Sequence, residues 1–302
     1  MSEAEKMLVA LGFGQHKPTA INIRQNSQTT QRVVSGYTTI VSKPKNSGLE
    51  IHVSDDAPFE IIDIPVLITQ SGLQEIVQND VYIGAGANVI ILAGCGICAD
   101  GCDDTIHQGV HNFWVGEGAR LKYIERHYAV GTNKKKIISP TSLIKLERGA
   151  EMIIETSQLG GLDRSQRSTE INLEKQAKLV VAERVFTDSR QRASSLFRAN
   201  LKQDGASLKI SSRAVATDNS RQKFISKIIG EARCFVHVEC DAIIKSHASV
   251  NALPQIYAKH QEARLIHEAS IGKIAGEQVA KLMSLGLSKK EAEEVIINGF
   301  LN

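Results

Sequence analysis

Aromatic residues make up only 5% of the 302-residue chain, too few for a surface on which successive bases stack. Excess charge is also lacking. Lys and Arg number 36 against 33 Asp and Glu, and a net charge of +3 leaves no nucleic-acid footprint. The run Lys134-Lys135-Lys136 reads as a solvated loop. No apolar run reaches the length of a membrane span; VIILAGCGICA passes directly into DGCDD. The opening MSEAEKMLVALGFGQHKP carries acids where a secretory leader needs basic residues. The expectation is a soluble cytoplasmic protein, with no nucleic-acid or membrane partner. In that compartment thiols stay reduced. A cysteine cluster therefore reads as metal-binding or reactive in preference to a disulfide framework.

Enzyme signatures are missing as well. No G-x-x-x-x-G-K-[ST] loop cradles phosphate, since Gly272-Lys273 is followed by Ile274. There is no G-x-S-x-G elbow. Gly84-Ala85-Gly86 lacks a third glycine and precedes a strand. HQGVH (107–111) has Gln108 where a zincin needs its general-base Glu. The chain is not expected to hydrolyse ATP alone.

What the chain does contain is repetition. A glycine or polar residue, an alanine and then alternating apolar residues recur at Ala119, Ala150, Ala177 and Ala206, with weaker copies at Ala87, Ala232, Ala248 and Ala263. These alanines lie 26–32 residues apart, and about half that near the end, a solenoid-like period. Period-two alternation makes each copy a strand, and a small residue suits a tight corner where rungs stack. Sustained helical periodicity between copies is lacking, so a βαβ architecture is excluded in favour of an all-β stacked β-helix; an antiparallel sandwich is the alternative. The last thirty residues change character. AGEQVAKLMSL (275–285) carries Val279, Leu282 and Met283 on one helical face, and Ser288 opens a capping box with Glu291. These helices pack on the β body or present Leu282, Val295, Ile296 and Phe300 to a partner. The expected division is an N-terminal segment (1–60) with a small helix and irregular strands, a β-helix core (61–271) and a helical end (272–302).

Two groups of residues carry chemistry. GCGICADGC (94–102) holds Cys95, Cys98 and Cys102, followed by His107 and His111. Thiolates with nearby imidazoles suit zinc, iron or an iron–sulfur cluster; redox-sensitive or plain loop cysteines are the alternatives. In the second group, RCFVHVECDAI (233–243), alternation puts Ala232, Cys234, Val236, Val238 and Cys240 on one face. In the next segment Ala263, Leu265, His267 and Ala269 share a face opposite Arg264, Ile266 and Glu268. Buried core cysteine and interior histidine are the alternative readings here.

HVECDAI, NALPQIY and IHEASIGKIAGEQVAKLMSLGLSKKEAEEVIINGF resemble the C-terminal core of the SufB/SufD family, and GVHNFWVGEGARLKYIERHY resembles an upstream segment of it. The resemblance implies a right-handed parallel β-helix with a small C-terminal helical segment. It also implies a non-enzymatic scaffold that carries a transient iron–sulfur cluster. Implied partners are an ABC-type, SufC-like ATPase bound at 272–302, a second copy or a SufB/SufD-like paralogue, a sulfur donor and apo-protein acceptors. Cys240 matches the cysteine of the family's C-D-[AS]-[LIM] motif, and His267 and Glu268 match its H-E-A motif, a combination closer to SufB than to SufD. The competing expectations are a β-helical enzyme, such as a polysaccharide lyase or acyltransferase, and a structural paralogue that assembles nothing.

Overall fold

In the computed structural model, which describes residues 3–98, 100–131 and 135–301, buried and exposed residues alternate along nearly every strand. One face of each strand packs on a shared interior. Helix α1 (Glu3–Ala10) precedes β1 (Ala20–Gln25), β2 (Gln28–Val33), β3 (Thr38–Ser42) and β4 (Leu49–Val53). The body follows as β5 (Glu60–Ile68), β6 (Gln74–Ile83), β7 (Asn88–Cys98), β8 (Thr105–Val115) and β9 (Arg120–Val130). It continues with β10 (Lys136–Ile138), β11 (Thr141–Leu146), β12 (Glu151–Gln158), β13 (Arg164–Leu173) and β14 (Lys178–Thr187). The last strands are β15 (Arg192–Leu201), β16 (Ser207–Ala216), β17 (Arg221–Gly230), β18 (Phe235–Ile244), β19 (Ser249–Ala258) and β20 (Arg264–Gly272). Helices α2 (Gly276–Ser284) and α3 (Lys289–Leu301) end the described chain.

The strands form two ten-stranded sheets, in the orders β2-β1-β5-β7-β9-β12-β14-β16-β18-β20 and β19-β17-β15-β13-β10-β8-β6-β4-β3, with β11 between β8 and β13. Successive strands alternate between the sheets and pair in parallel, giving a β-helix of about eight turns. The exceptions are the antiparallel hairpins β1–β2 and β3–β4. Residues 20–53 are thus built into both sheets, because β1 pairs in parallel with β5 and β4 with β6. The backbone donors that follow each repeated alanine bond to the alanine one rung below: Arg120 to Ala87, Glu151 to Ala119, Lys178 to Ala150, Ser207 to Ala177 and Phe235 to Ala206. At the next rung Arg264 bonds to Cys234. Cys234, and not Ala232, therefore takes the alanine's place in the corner column.

Helix α1 and the turn after it seat Met7, Leu11 and Phe13 on the outer face of β7. A Cβ on Gly96 would lie 2.3 Å from Met7 Cγ, so the glycine permits this approach. At the other end the capping box forms as read, Ser288 N donating to Glu291 at 2.8 Å and Glu291 N to the Ser288 hydroxyl at 3.3 Å. Val279 and Ala292 are buried, while Met283, Leu285 and Val295 remain exposed. The lysine run is not one solvated loop. Lys136 opens β10 and is buried, its ammonium 3.6 Å from Asp163; Lys134 lies outside the described residues.

Candidate functional site

The solenoid ends in β19 and β20, the outermost strands of the two sheets. Both leave one row of peptide groups unpaired by any described strand, and Leu253, Tyr257, Ile266 and Ile271 are exposed on them. Cys240 on β18 points into the interior and is fully buried. His267 lies beside it on the same face, its backbone paired with Val238, two residues before Cys240. The His267 Nε2 atom is buried and has no hydrogen-bond partner among the described residues. Burial of the ring also lowers its pKa. Glu268, one residue on, points to the outer face, where its carboxylate lies 3.5 Å from His237 Nε2. It pairs in register with Glu239, and Asp241 nearby has its pKa raised by burial and by Glu239. One chain thus puts Cys240 and His267 on one interior face, two positions out of register, and places Glu268 on the other face of the sheet. Burial, with the charges of Glu183 and Asp241, pushes the Cys240 thiol up to about 12. In the free chain it is protonated, and a metal must displace that proton to bind sulfur.

A column of polar residues runs from Cys240 back through the interior. Ser212, in register with Cys240 on the adjacent rung, donates to Glu183 at 2.8 Å, and Ser195 donates to the same carboxylate. Arg167 lies between Glu183 and Glu125, 3.9 Å from the first and 2.6 Å from the second. His111 and His127 each place Nε2 3.6 Å from Glu125, and the Tyr123 hydroxyl donates to it at 3.2 Å. Beyond a gap at Gly109, where a Cβ would meet His111 Nε2 at 2.8 Å, stands His107. Its other nitrogen pairs with Glu75 at 3.2 Å, and Glu75 accepts from Arg24 Nε at 2.8 Å. Cys95 and the His107 ring line the same small cavity. Burial alone would depress His107; Cys95 and Glu75 outweigh it and push the pKa up to about 10. His111 goes the other way, to about 4, because burial and the neighbouring cations outweigh Glu125. Small cavities of about 20, 10 and 10 Å³ lie along the column beside Cys95, Arg167 and Cys240, each near the size of a single water.

Residues 66–300 match the family model for the SufBD core domain of the SUF system of iron–sulfur cluster assembly. The chain belongs to the SufBD family. Curated relatives agree. An iron–sulfur cluster assembly SufBD family protein of Methanocaldococcus jannaschii is 26% identical over 239 residues, which span 78% of this chain and 74% of the relative. One from Pyrococcus horikoshii is 29% identical over 270 residues, 83% of this chain and 77% of the relative. One from Archaeoglobus fulgidus is 29% identical over 255 residues, 81% and 66% respectively.

In this SufBD chain the cysteines of GCGICADGC do not converge. Cys95 and Cys98 both lie in β7, and a three-residue step along a strand reverses the face. Cys95 points into the interior, Cys98 packs toward α1, and Cys102 is exposed in the following turn. Among the described residues no group of three or more Cys, His, Asp or Glu is arranged to hold a metal ion. The zinc or iron expected at Cys95, Cys98 and Cys102 has no support. His107 and His111 do face the interior together, four residues apart on β8. Glu75, Glu125, His127, Arg167 and Glu183 went unread in the sequence. The two histidines of HQGVH, four residues apart on a strand, were the one available pointer, because that spacing commits both to the same face. No described helix is long and apolar enough to cross a membrane.

Proposed function

We propose that this chain is a scaffold subunit on which a nascent iron–sulfur cluster is built at the open end of the β-helix. Cys240 supplies the soft thiolate, and His267 and Glu268 supply the borderline and hard ligands, a set suited to iron held for transfer. The observation that carries the reading is Cys240 and the unpartnered His267 Nε2 facing one interior at the end where both sheets stop. A second copy pairing edge to edge with β19 and β20 buries Leu253, Tyr257, Ile266 and Ile271, and a two-fold axis brings two such sets together. Glu268, turned outward within one chain, then serves its partner's cysteine. At the far end of the polar column, Cys95 acts as a second sulfur-handling thiol facing the same interior as Cys240. The exposed Met283, Leu285 and Val295 of the terminal helices support docking of an ABC-type, SufC-like ATPase, whose turnover moves the paired scaffolds.

The test is the iron and sulfide content and the visible spectrum of protein purified without oxygen, alone and with its ATPase. Iron, sulfide and a charge-transfer band in the visible are expected in at least one of the two states. Colourless, iron-free protein in both would refute the proposal.

A further inference from the structure

Away from the open end, a cleft of about 770 Å³ lies at the corner where β9 ends and β10, β13 and β15 begin. Ala129, Val130 and Ile137 are among its lining residues. Its walls are basic. Lys135, Lys136, Arg164, Arg190 and Arg192 face one carboxylate, Asp163. Asp163 is already taken, accepting from the Lys136 backbone at 2.8 Å and lying 3.6 Å from its ammonium. Lys135, Arg164, Arg190 and Arg192 are exposed, and none of them has an ion pair or side-chain hydrogen bond among the described residues. The cleft therefore holds more net positive charge than the whole chain, which sums to +3.

The arginines are stacked by the fold. Arg164 of β13 pairs in register with Arg192 of β15, and Arg192 with Arg221 of β17. Adjacent rungs lie about 4.8 Å apart, and like charges directly opposite one another destabilise a sheet. Such an array is relieved by an anion that bridges the rungs. The volume falls in the range of small-molecule sites, about 300–1,000 Å³, and the stacked guanidinium groups suit a compact, multiply charged anion.

We propose that this cleft binds a small polyanion carrying two or more phosphate groups, held by the Arg164–Arg192 ladder with Arg190 and Lys135 at the rim. Guanidinium groups are the natural bidentate partners of phosphate oxygens. The binding site is separate from the Cys240 end and stands or falls independently of the scaffold reading.

Calorimetric titration of the full chain with inorganic tripolyphosphate and with ADP, at about 50 mM salt to limit screening, tests this. One site per chain is expected, with affinity falling as salt rises. The double variant Arg164→Gln/Arg192→Gln should lose about tenfold or more, since each charge-assisted bond to phosphate is among the stronger hydrogen bonds. Without ligand that variant should melt no lower than the parent, because it removes a like-charge contact and no packing. Absence of saturable binding for both probes, or equal affinity in the double variant, would overturn the proposal. Tighter binding of polyglutamate than of tripolyphosphate would also overturn it, by making the occupant an acidic protein segment. A lower melting temperature for the double variant would show that the arginines are structural.

Discussion

Replacing Arg167 with Met tests whether the interior column is an interacting unit. Arg167 is 9% exposed and lies between two buried carboxylates, 2.6 Å from Glu125 and 3.9 Å from Glu183. Burial would raise the Glu125 pKa; Arg167, His127 and His111 together hold it well below the ordinary carboxylate range. Met fills much of the arginine's volume, so the loss is mainly electrostatic. An uncompensated buried charge costs about 3–5 kcal/mol. At about 2–4 °C per kcal/mol for a large domain, the midpoint should fall by about 6–20 °C. Glu125→Gln in the same background removes the stranded charge, and the pair should couple by about 1–3 kcal/mol. Solenoids can unfold turn by turn, so thermal midpoints are best paired with hydrogen exchange of the amides in β12–β15. A loss below about 1 kcal/mol for the single variant, or strict additivity in the double variant, would refute the reasoning and reduce the column to independent solvated groups.

Thermal stability should peak near pH 6.5. His107, raised from 6.5 to about 10, contributes stability that is complete below pH 6.5 and lost as pH rises toward 10. His111, lowered from 6.5 to about 4, contributes stability present above pH 6.5 and lost on acidification, on the order of 3 kcal/mol; Glu75, held at about 2, adds a further loss between pH 4.5 and 2. A midpoint flat from pH 4 to 9 would contradict both assignments. Gly96→Val forces a Cβ to within 2.3 Å of Met7 Cγ, so α1 should lift and Cys98 should react faster with iodoacetamide; an unchanged rate would mean that α1 seats elsewhere. Deleting residues 275–302 should abolish ATPase binding while circular dichroism of the β body persists, and full-strength pull-down by the truncated chain would sink that assignment. Because the Cys240 thiol sits at about 12, iron loading should strengthen as pH rises, with protons released on binding; pH-independent loading would point to other ligands.

The solenoid was legible because its corners repeat. An alanine every 26–32 residues, each followed by alternating apolar residues, marks one place on every rung, and Ala87 to Ala206 do stack there. The repeat weakened at Ala232 because Cys234 fills the corner instead. Alternation alone put Cys240 on a face with Val236 and Val238, and His267 on a face with Leu265; only the β18–β20 register joins the two faces. The interior column could not, because polar residues in strands are ordinarily assigned outward. RSQRSTEINL (β13) is polar on both faces, and nothing local says that Arg167 points in; only its partners, from strands far away in sequence, decide that. GCGICADGC misled for the opposite reason. Its glycines suggested a wrapping loop, whereas Gly94 and Gly96 lie within β7 and make room for α1. Extended backbone then sends Cys95 and Cys98 to opposite sides.

The central claim is that Cys240 is the anchoring ligand, and the most direct measurement is anaerobic cluster reconstitution on Cys240→Ser, Glu268→Gln and Cys234→Ser, each checked for folding by circular dichroism. Removing the thiolate removes the one ligand a carboxylate cannot replace, so Cys240→Ser should form essentially no cluster and Glu268→Gln a reduced amount. Cys234 fills a corner position with its thiol raised by burial, so Cys234→Ser should keep its yield and lose only some stability. Wild-type cluster yield from folded Cys240→Ser would contradict the account and make Cys240 a core residue.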